Sequence, residues 1–517
     1  MSAKILWVDD QIESLKSQIL FLENKGYEVA QVSNGYDALE HLKEKDVDVV
    51  LLDESMPGMS GLEVLSEIRI FNSHLPVVMI TKNEEENIME EAIGSQITDY
   101  LIKPVNPNQV LLSLKKIIDK KTLVSEKTTQ AYMTDLRSLM MTLNSRPNYE
   151  EWTELYKKLV YWELEIQQSG NEEMMEVFQN QKDEANGEFT KFIEEEYEDW
   201  IGDEQNGPVL SHHLFPKYVA PHLKGDKPVF FVLIDNLRYD QWKIIEPIFT
   251  ENFRVQKEEM MCSILPTSTQ YSRNSIFSGM LPSDIAKKFP EDWVYDHEKG
   301  GKNNSEHIYL EHQLKQLNLN QIKFSYTKVT NHKKGEDLVN NVHNLLNNKL
   351  NVIVYNFVDM LSHARTEIEV LKELANDEVS YRSLTKSWFE HSPLHQALKK
   401  IADKDIKLIV GTDHGTIRVK NASKVIGDRD STTNIRYKHG KSLQYDKKDV
   451  VFYGNPKNIG LPAPHMNSAY IFGKYDTYLC YPNNYNHFVN YFRNTFQHGG
   501  ISLEEMLIPI IEMDSKL

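Results

Sequence analysis

The chain has 517 residues, and its 58 lysines and arginines against 76 aspartates and glutamates give a formal net charge of −18. This acidic balance excludes a protein that coats DNA through a basic face, and two cysteines, Cys262 and Cys480, are too few for a disulfide framework or a thiolate zinc site. No apolar run approaches the ~20 residues of a membrane-spanning helix, and the start, "MSAKILWVDD", lacks the pattern of a signal peptide, so we expect a soluble cytoplasmic protein.

A chain of this length exceeds what one hydrophobic core normally supports, and the predicted elements divide it into three domains, residues 1–120, 121–205 and 206–517.

In the first domain, five strand-like runs alternate with amphipathic helical segments. The runs are "KILWVDD", "YEVAQVS", "VDVVLLD", "LPVVMIT" and "TDYLIKP". Short, almost wholly apolar strands separated by helices predict a five-stranded parallel sheet with helices on both faces.

Polar side chains follow the predicted strands of this domain at their carboxyl ends, where ligands bind in such folds. They are Asp9, Asp10, Asp53, Thr81 and Lys103. Three carboxylates at one edge repel one another unless a hard cation such as Mg²⁺ lies between them. Acidic residues at strand ends are also common in ordinary loops, but all five side chains in this order indicate an aspartate that accepts a phosphoryl group.

The motifs "VDD", "LLDESMPGMSG", "MIT" and "YLIKP" resemble those of the receiver domain of two-component response regulators. The resemblance implies a flavodoxin-like fold, phosphorylation by a sensor histidine kinase and a homodimer of the phosphorylated form. It also implies a role for each residue of the motifs: Asp53 is the phosphoacceptor, Asp9, Asp10 and Asp53 hold Mg²⁺ together with the Ser55 carbonyl, and Thr81, Tyr100 and Lys103 are the switch residues.

The middle domain, residues 121–205, lacks strand signals. Three segments carry apolar residues at spacings of three and four: "SEKTTQAYMTDLRSLMMTLNS", "NYEEWTELYKKLVYWELEIQQ" and "MMEVFQNQKDEANGEFTKFIEEEYEDWI". This pattern predicts a small α-helical bundle. A relay between the flanking domains and a plain packing spacer are both compatible with it.

In the third domain, α/β alternation returns, and acidic or imidazole side chains again follow apolar strands or stand beside glycine. They are Asp235, Asp359, His363, Asp413, His414 and His498. Taken singly, each histidine reads as an ordinary polar residue. Together, six N/O ligands divide into two sets of three, as a pair of divalent cations would require. Imidazole and carboxylate without thiolate favour Zn²⁺, with Mn²⁺ as the alternative.

A hydroxyl-rich stretch, "CSILPTSTQYSRNSIFSGMLP", lies between the first and second ligand positions. One of its hydroxyl groups is a candidate nucleophile, because a cation that coordinates the oxygen activates it. The same stretch also reads as a helix start with Thr267 or Ser268 as the N-cap. Both interpretations can hold together, since a helix N-terminus also favours an arriving phosphate.

The motifs "LIDNLRYD", "LPTSTQYSR", "VDMLSH", "GTDHG" and "HGGISLEE" resemble the alkaline phosphatase superfamily, closest to its PglZ branch, over residues 206–517. The resemblance implies a C-terminal alkaline-phosphatase-like α/β domain with phosphodiesterase activity and Thr269 as its nucleophile, with Thr267 as the competing choice. It implies one zinc ion on Asp359, His363 and His498, and a second on Asp235, Asp413 and His414. Arg273, one helical turn after Thr269, is a further candidate for contact with the substrate.

One basic segment interrupts the acidic chain just after His414. It contains Arg418, Lys420, Lys424, Arg429, Arg436, Lys438 and Lys441 against only Asp428 and Asp430. A solvated loop is one interpretation. The other is a guide for a polyanion, in which Arg436 and Lys438 contact a nucleotide or oligonucleotide phosphodiester.

The order of receiver, helical bundle and PglZ-like domain resembles that of the response regulators of type IX secretion. This implies a phosphorylation-controlled zinc phosphodiesterase that regulates this secretion. The alternative is a phosphorylation-switched binding protein whose metal site is mainly structural and whose partner is a sigma factor or a component of the secretion motor.

Overall fold

The structure, a computed structural model, describes residues 3–72, 75–82, 97–202, 207–296, 298, 300–361, 377–427, 432–463, 465 and 467–516. The chain divides into two compact units. The first unit comprises Met1–Met133 with Ser169–Asn171, and the second comprises Thr134–Gln168 with Glu172–Leu517. The predicted domain boundaries near residues 120 and 205 stay predictions.

A five-stranded parallel sheet of order β2-β1-β3-β4-β5 forms the first unit, which confirms the predicted sheet. Alternate residues of its strands enter two separate cores, because successive side chains of a strand point to opposite faces. Trp7 and Leu51 face one core, and Leu6 and Leu52 face the other. The strands are β1 (Lys4–Val8), β2 (Glu28–Val32), β3 (Val49–Asp53), β4 (Val77–Thr81) and β5 (Asp99–Ile102).

Short helices connect these strands. They are a 3₁₀ turn (Ile12–Leu15), α1 (Lys16–Glu23), α2 (Gly35–Glu44) and α3 (Gly61–Phe71). A capping box between Ser60 and Glu63 starts α3. Gly61 is required at the first position of α3, because a Cβ there would collide with the carbonyl oxygen of Asp53. The start of α3 therefore lies directly against the predicted phosphoacceptor.

Three long helices occupy the middle of the chain, as the helical spacing predicted. They are α4 (Pro107–Asn144), α5 (Tyr149–Ser169) and α6 (Glu172–Gly202). In the second unit, α5 and α6 pack through aromatic side chains, and the ring centroids of Trp152 and Phe189 lie 5.3 Å apart. The buried face of α6 also carries Lys182 and Asn186, so polar groups share this interface with the aromatic rings.

A mixed six-stranded sheet of order β7-β18-β10-β6-β9-β8 forms the centre of the second unit. Strands β10, β6, β9 and β8 are parallel neighbours, whereas β18 runs antiparallel to both β10 and β7. Its strands are β6 (Val229–Ile234), β7 (Phe253–Cys262), β8 (Phe324–Val329), β9 (Leu350–Tyr355), β10 (Lys407–Gly411) and β18 (Leu507–Ser515). The carboxyl ends of β6, β9 and β10 thus meet at one edge of the sheet.

Among its described residues, the second unit also contains shorter helices. They are α7 (Tyr239–Asn252), α8 (Thr269–Ser278), α9 (Pro282–Lys288), α10 (Glu306–Gln316), α11 (His332–Leu345), α12 (Glu378–His391), α13 (Pro393–Ile401), α14 (Tyr485–Phe492) and α15 (Leu503–Met506). Four single turns are also present: Ser211–His213, Phe215–Val219, Ala220–Lys224 and Pro456–Ile459.

Short strands outside the central sheet complete the second unit. They are β11 (Ile417–Arg418), β12 (Asn421–Lys424), β13 (Tyr437–Gly440), β14 (Val450–Tyr453), β15 (Ala469–Gly473), β16 (Thr477–Cys480) and β17 (Phe496–Gln497). The antiparallel pair of β11 and β17 brings the segment after His414 beside the segment before His498. Among the described residues, no helix combines the length and apolarity needed to cross a bilayer.

Candidate active site

Three predicted ligands lie together at the carboxyl edge of the central sheet. One ligand atom each from Asp235, Asp413 and His414 falls within 4.8 Å of the others, and all three side chains are buried. The sheet register explains the meeting, because Leu233 on β6 is the partner of Gly411 on β10 and the strands are parallel. Asp235 and Asp413 each stand two residues after this register pair, so both carboxylates reach the edge side by side.

Two more predicted ligands adjoin this group. Nε2 of His498 lies 3.6 Å from Oδ1 of Asp359, and the ring of His498 stacks on that of His414 with centroids 4.3 Å apart. The sixth predicted ligand, His363, lies outside the described residues. Five of the six side chains chosen from the sequence therefore form one contiguous cluster, which we call the ligand cluster.

Thr269 is the first residue of α8 and faces the ligand cluster. Its Oγ1 lies 3.3 Å from Oδ1 of Asp235 and 3.1 Å from Nε2 of His414. Ser268 is the N-cap residue of α8, so the partial positive charge of the helix N-terminus lies beside the same hydroxyl group. The hydroxyl is thus held between a carboxylate, an imidazole and a helix end that favours anions.

Thr267, the competing choice for nucleophile, contacts the glycine loop after His498. Its hydroxyl donates to the Gly500 carbonyl at 2.9 Å and accepts from the Gly499 N–H at 3.0 Å. Gly499 has φ of +120°, a conformation that side-chain-bearing residues rarely adopt. The hydroxyl of Thr267 is therefore engaged in holding the loop that positions His498.

Both histidines of the cluster present the same nitrogen to it. Nδ1 of His414 lies 3.0 Å from the Gly415 carbonyl, and Nδ1 of His498 lies 3.2 Å from the Thr267 carbonyl. A carbonyl only accepts, so Nδ1 carries the proton in each ring and the Nε2 lone pair is directed to the cluster. Burial lowers the pKa of His414, which keeps its ring neutral. Neutral imidazoles oriented through their second nitrogen are the form that binds metal ions.

Burial raises the pKa of both Asp235 and Asp413, and the neighbouring Asp359 carboxylate raises each pKa further. Carboxylates crowded in this way repel one another, and a divalent cation between them would relieve the repulsion. The donor set of carboxylate oxygens and imidazole nitrogens, without thiolate, fits Zn²⁺ or a similar ion. The residues present therefore fit the metal ions expected from the sequence.

Arg273, which the sequence suggested as a contact for the substrate, is a charged partner of the ligand cluster. Its guanidinium is fully buried and lies 2.7 Å from Oδ2 of Asp235 and 3.2 Å from Oδ2 of Asp413. It also donates to Asn356 at 3.1 Å. These contacts support a role in holding the two carboxylates and give no support to the predicted contact with substrate. Helical spacing from Thr269 indicated that Arg273 was close but not which groups it would meet.

Two residues of the basic segment also lie inside the domain. The guanidinium of Arg436 is fully buried and bonds Glu505 through two nitrogens at 3.1 and 2.6 Å. Nζ of Lys438 donates to the Thr432 carbonyl at 3.0 Å, and burial lowers its pKa to about 7. Their predicted contact with substrate therefore has no supporting geometry. Arg429 lies outside the described residues, whereas Lys424 and Lys441 are exposed and Arg418 and Lys420 are half-buried.

A second carboxylate group lies at the carboxyl edge of the first unit's sheet. Oxygens of Asp9, Asp10 and Asp53 fall within 4.8 Å of one another, and Nζ of Lys103 lies 2.8 Å from Asp9 and 2.9 Å from Asp53. Burial raises the pKa of Asp53, although Lys103 opposes the shift. This arrangement fits a hard divalent cation such as Mg²⁺.

Thr81 and Tyr100 are the two remaining predicted switch residues of the first unit. The hydroxyl of Thr81 donates to the Glu54 carboxylate. The Tyr100 side chain is partly exposed, at 39%. Glu54, adjacent to the predicted phosphoacceptor, was not chosen from the sequence, and its bond to Thr81 comes from the pairing of β3 with β4.

Three protein families match successive parts of the chain. Residues 5–115 match the response regulator receiver domain, residues 122–201 match the PorX response regulator linker domain, and residues 214–513 match the BREX system PglZ alkaline phosphatase-like domain.

Two curated relatives each match about a quarter of the chain. The transcriptional regulatory protein ZraR of Klebsiella oxytoca is 40% identical over 114 residues, which are 22% of this chain and 26% of that protein. The transcriptional regulatory protein SrrA of Staphylococcus aureus is 33% identical over 118 residues, which are 23% of this chain and 48% of that protein. The chain thus spans about a quarter to a half of the length of these relatives.

Solved structures also match part of the chain. The chemotaxis protein CheY4 of Vibrio cholerae is 30% identical, and the match covers 23% of this chain and 99% of that chain with a TM-score of 0.22. The PglZ match, by contrast, covers more than half of the present chain. The protein therefore belongs to the PglZ alkaline phosphatase-like family, and its receiver domain, helical linker and PglZ domain form a PorX-like architecture.

Proposed function

We propose that the PglZ domain is a metal-dependent phosphodiesterase with Thr269 as its nucleophile, and that phosphorylation of Asp53 in the receiver domain controls it. The observation that carries the proposal is the position of the Thr269 hydroxyl, 3.1 Å from Nε2 of His414 and 3.3 Å from Oδ1 of Asp235. A nucleophilic hydroxyl needs neighbours that hold it and remove its proton. Asp235 and His414 both lie close enough to the Thr269 hydroxyl to do so.

Metal ions would be held by two sets of side chains, Asp235, Asp413 and His414 in one and Asp359, His363 and His498 in the other. Two bound Zn²⁺ ions supply positive charge that activates the attacking oxygen and stabilises the leaving one. Arg273 adds a fixed cation behind Asp235 and Asp413, which limits the movement of both carboxylates.

The reaction runs in two displacements at phosphorus. Oγ1 of Thr269 forms a bond to phosphorus as the bond to the leaving oxygen breaks, and the hydroxyl proton passes toward Asp235. The first N–H groups of α8 face the phosphate during this attack. Water then cleaves the bond between Oγ1 and phosphorus, which restores the hydroxyl and releases the phosphate product.

We propose nucleotide or oligonucleotide phosphodiesters as substrates. The support is the set of basic side chains that follows His414 along the chain, of which Lys424 and Lys441 are exposed. Positive charge near a site raises the local concentration of a polyanion and speeds its arrival. Since Arg436 and Lys438 are buried, we assign the attraction of the substrate to the exposed basic side chains of the segment.

We also propose how the protein is regulated. A sensor histidine kinase phosphorylates Asp53 with Mg²⁺ held by Asp9, Asp10 and Asp53, and the phosphorylated receiver forms a homodimer in the cytoplasm. The PorX-like architecture supports a role in type IX secretion.

A second candidate function is a binding protein for a sigma factor or a secretion-motor component, with a mainly structural metal site. The observation that favours it is Arg273, which already pairs with two of the predicted ligands in the protein interior. In that case the ligand cluster stabilises the fold and Thr269 has no chemical task.

Hydrolysis of bis-p-nitrophenyl phosphate with added zinc tests the proposal. We expect Thr269→Ala to lower turnover at least ~10³-fold, because no other hydroxyl replaces the nucleophile. Thr269→Ser keeps an oxygen at the same place and retains most of the activity. Ser268→Ala is the matched control, since this neighbouring hydroxyl makes no capping bond. Equal rates for wild type and Thr269→Ala would end the nucleophile assignment and favour the binding protein.

A further inference from the structure

Helices α5 and α6 contribute charged side chains to a buried ionic cluster in the second unit. We call it the linker cluster. It contains four carboxylates, of Glu163, Asp240, Glu378 and Glu504, and three cations, of Lys182, Arg238 and Arg382. Apart from Glu378, every member is less than a tenth exposed. Charges placed so deeply are expensive unless each finds a partner, so the pairing has a definite geometry.

One branch of the linker cluster starts at Glu163 on α5. Its Oε1 lies 2.6 Å from Nη1 of Arg382, and the same nitrogen lies 3.0 Å from Oδ2 of Asp240. Asp240 in turn accepts from Nε of Arg238 at 2.9 Å. Arg238 is the N-cap residue of α7 and Asp240 lies in its first turn, a few residues after Asp235, so this branch ends on the segment that carries one predicted ligand.

A second branch starts at Lys182 on α6. Nζ of Lys182 lies 2.8 Å from Oε2 of Glu163 and 3.0 Å from Oε1 of Glu504. Asn186, one turn later on α6, donates to Glu504 at 3.2 Å and accepts from the Leu503 N–H at 2.8 Å. Helix α6 therefore contacts both a side chain and the backbone at the start of α15.

The start of α15 touches two further ligand segments. The Gly415 N–H, next to His414, donates to the Glu505 carbonyl at 3.1 Å, and a Cβ on Gly415 would collide with the carbonyl oxygen of Glu504. The Gly500 N–H, two residues after His498, donates to the Glu505 carboxylate at 2.9 Å. This branch thus ends beside both histidines of the ligand cluster.

An apolar interface would hold two helices against a domain at least as firmly as buried ions do. Buried ions add geometric specificity, because each charged hydrogen bond fixes the position of one side chain relative to its partner. Of the fixed partners, Asp240 lies close to Asp235 in the sequence and Glu504 lies close to His498, whereas Arg382 joins Glu163 to Asp240. Burial alone raises the pKa of Glu163, but Lys182 and Arg382 hold it well below its usual range, so the carboxylate stays charged.

We propose that Glu163 and Lys182 are positioning residues of the candidate metal site, acting through Arg382, Asp240 and Glu504 on the segments that carry its ligands. The linker helices α5 and α6 are then part of the catalytic unit and not a spacer. The inference rests on the proposed function only for its effect on turnover, since its effect on metal binding exists without any reaction.

The test uses the full chain and the double variant Glu163→Gln, Lys182→Met. This change removes one carboxylate and one cation, so the linker cluster keeps its net charge. The matched control is Glu188→Gln, Lys191→Met on α6, where the same two residue types pair at 2.6 Å with side chains 43% and 64% exposed. Zinc affinity of the metal-free protein is measured by calorimetry, and kcat and KM are measured with bis-p-nitrophenyl phosphate.

We expect the double variant to bind zinc about 10-fold more weakly or worse, as do proteins that lose a partner of a ligand, and to lose kcat with little change in KM. Lys182→Arg, which keeps the cation, restores most of both. The control pair matches wild type. If the double variant does not fold, Glu163→Gln alone carries the test, because it keeps the side-chain shape and leaves three carboxylates with three cations.

Unchanged zinc affinity and kcat in a variant whose only defect is a lower melting temperature would overturn the inference, because the cluster would then serve the fold alone. A wild type that binds zinc but hydrolyses no diester would count against the proposed function instead. In that case weaker zinc binding by the variant still supports the positioning role.

Discussion

The hydroxyl of Thr269 lies 3.1 Å from Nε2 of His414, although 145 positions separate the two residues in the sequence. Thr269 begins helix α8, and His414 follows strand β10 on the central sheet. Two neighbouring hydroxyl residues, Thr267 and Thr269, consequently have different partners. Thr269 faces the ligand cluster, whereas Thr267 bonds the glycine loop after His498.

Replacing Thr267 by valine is expected to weaken metal binding without removing the proposed nucleophile. The change leaves the Gly499 N–H and the Gly500 carbonyl without their partner, which costs roughly 1–3 kcal/mol, and loosens the loop that positions His498. Zinc titration should show about tenfold weaker binding, while Thr269→Ala binds zinc like wild type. Full zinc affinity in Thr267→Val would show that the loop holds His498 by other contacts.

Replacing Arg273 by methionine should make the fold dependent on metal. The change leaves Asp235 and Asp413 buried without their cation, at a cost of about 3–5 kcal/mol when a buried ion pair is broken. Thermal unfolding with chelator and with zinc measures the effect. We expect zinc to raise the melting temperature far more in the variant than in wild type, with Arg273→Lys in between. An equal zinc effect in all three proteins would contradict this role.

The buried side chain of Lys438 should make the free energy of unfolding rise with pH. Burial lowers the pKa of the Lys438 ammonium group in the folded protein to about 7, from the usual lysine pKa of 10.5. Between these two values the unfolded chain binds the proton and the folded chain does not, so the contribution to stability rises by up to about 1.4 kcal/mol per pH unit. Below pH 7 both states carry the charge and the contribution is lost.

Urea unfolding at pH 7 and pH 9 measures this slope. We expect wild type to gain stability over this range relative to Lys438→Met, which has no proton to release. Lys441→Met is the control, because Lys441 is exposed and its replacement should leave the slope as in wild type. Parallel slopes for wild type and Lys438→Met would show that the ammonium of Lys438 is solvated.

Beryllofluoride with Mg²⁺ should convert the chain to a dimer in size-exclusion chromatography. This ion mimics a phosphoryl group on Asp53, next to Lys103, and adds charge at a buried strand edge. Asp53→Asn lacks the acceptor oxygen and should elute unchanged with and without the mimic. A wild type that remains monomeric with beryllofluoride would count against phosphorylation-linked dimerisation.

Much of the fold and of the ligand cluster could be predicted because both follow from local patterns. Continuous apolar runs gave the strands, and a buried strand that ends in aspartate can deliver that side chain only to the sheet edge. Asp235, Asp413 and His414 were found in this way, as were Asp9 and Asp53. The helical spacing of residues 149–202 likewise predicted α5 and α6.

Burial and pairing of charged residues did not follow from such patterns. Arg436 belongs to a basic segment whose pattern is typical of a solvated or substrate-binding loop, yet its guanidinium is fully buried and bonds Glu505, 69 positions away. Arg273 was expected to contact a substrate, and its guanidinium lies beside the carboxylates of Asp235, Asp413 and Glu306. In both cases the sequence shows the charge but not its distant partner, and the partner decides whether a charge faces solvent.

The sequence by itself therefore determined the strands, the helices and the side chains delivered to the sheet edges, because these depend on hydrophobic periodicity within a few residues. Only the tertiary structure decided which of two threonines faces the cluster, which arginines are buried, and how Glu163 and Lys182 reach the ligand segments. Those outcomes depend on contacts between residues that are distant in the sequence, such as Arg436 with Glu505 and Thr269 with His414, and no local pattern encodes them.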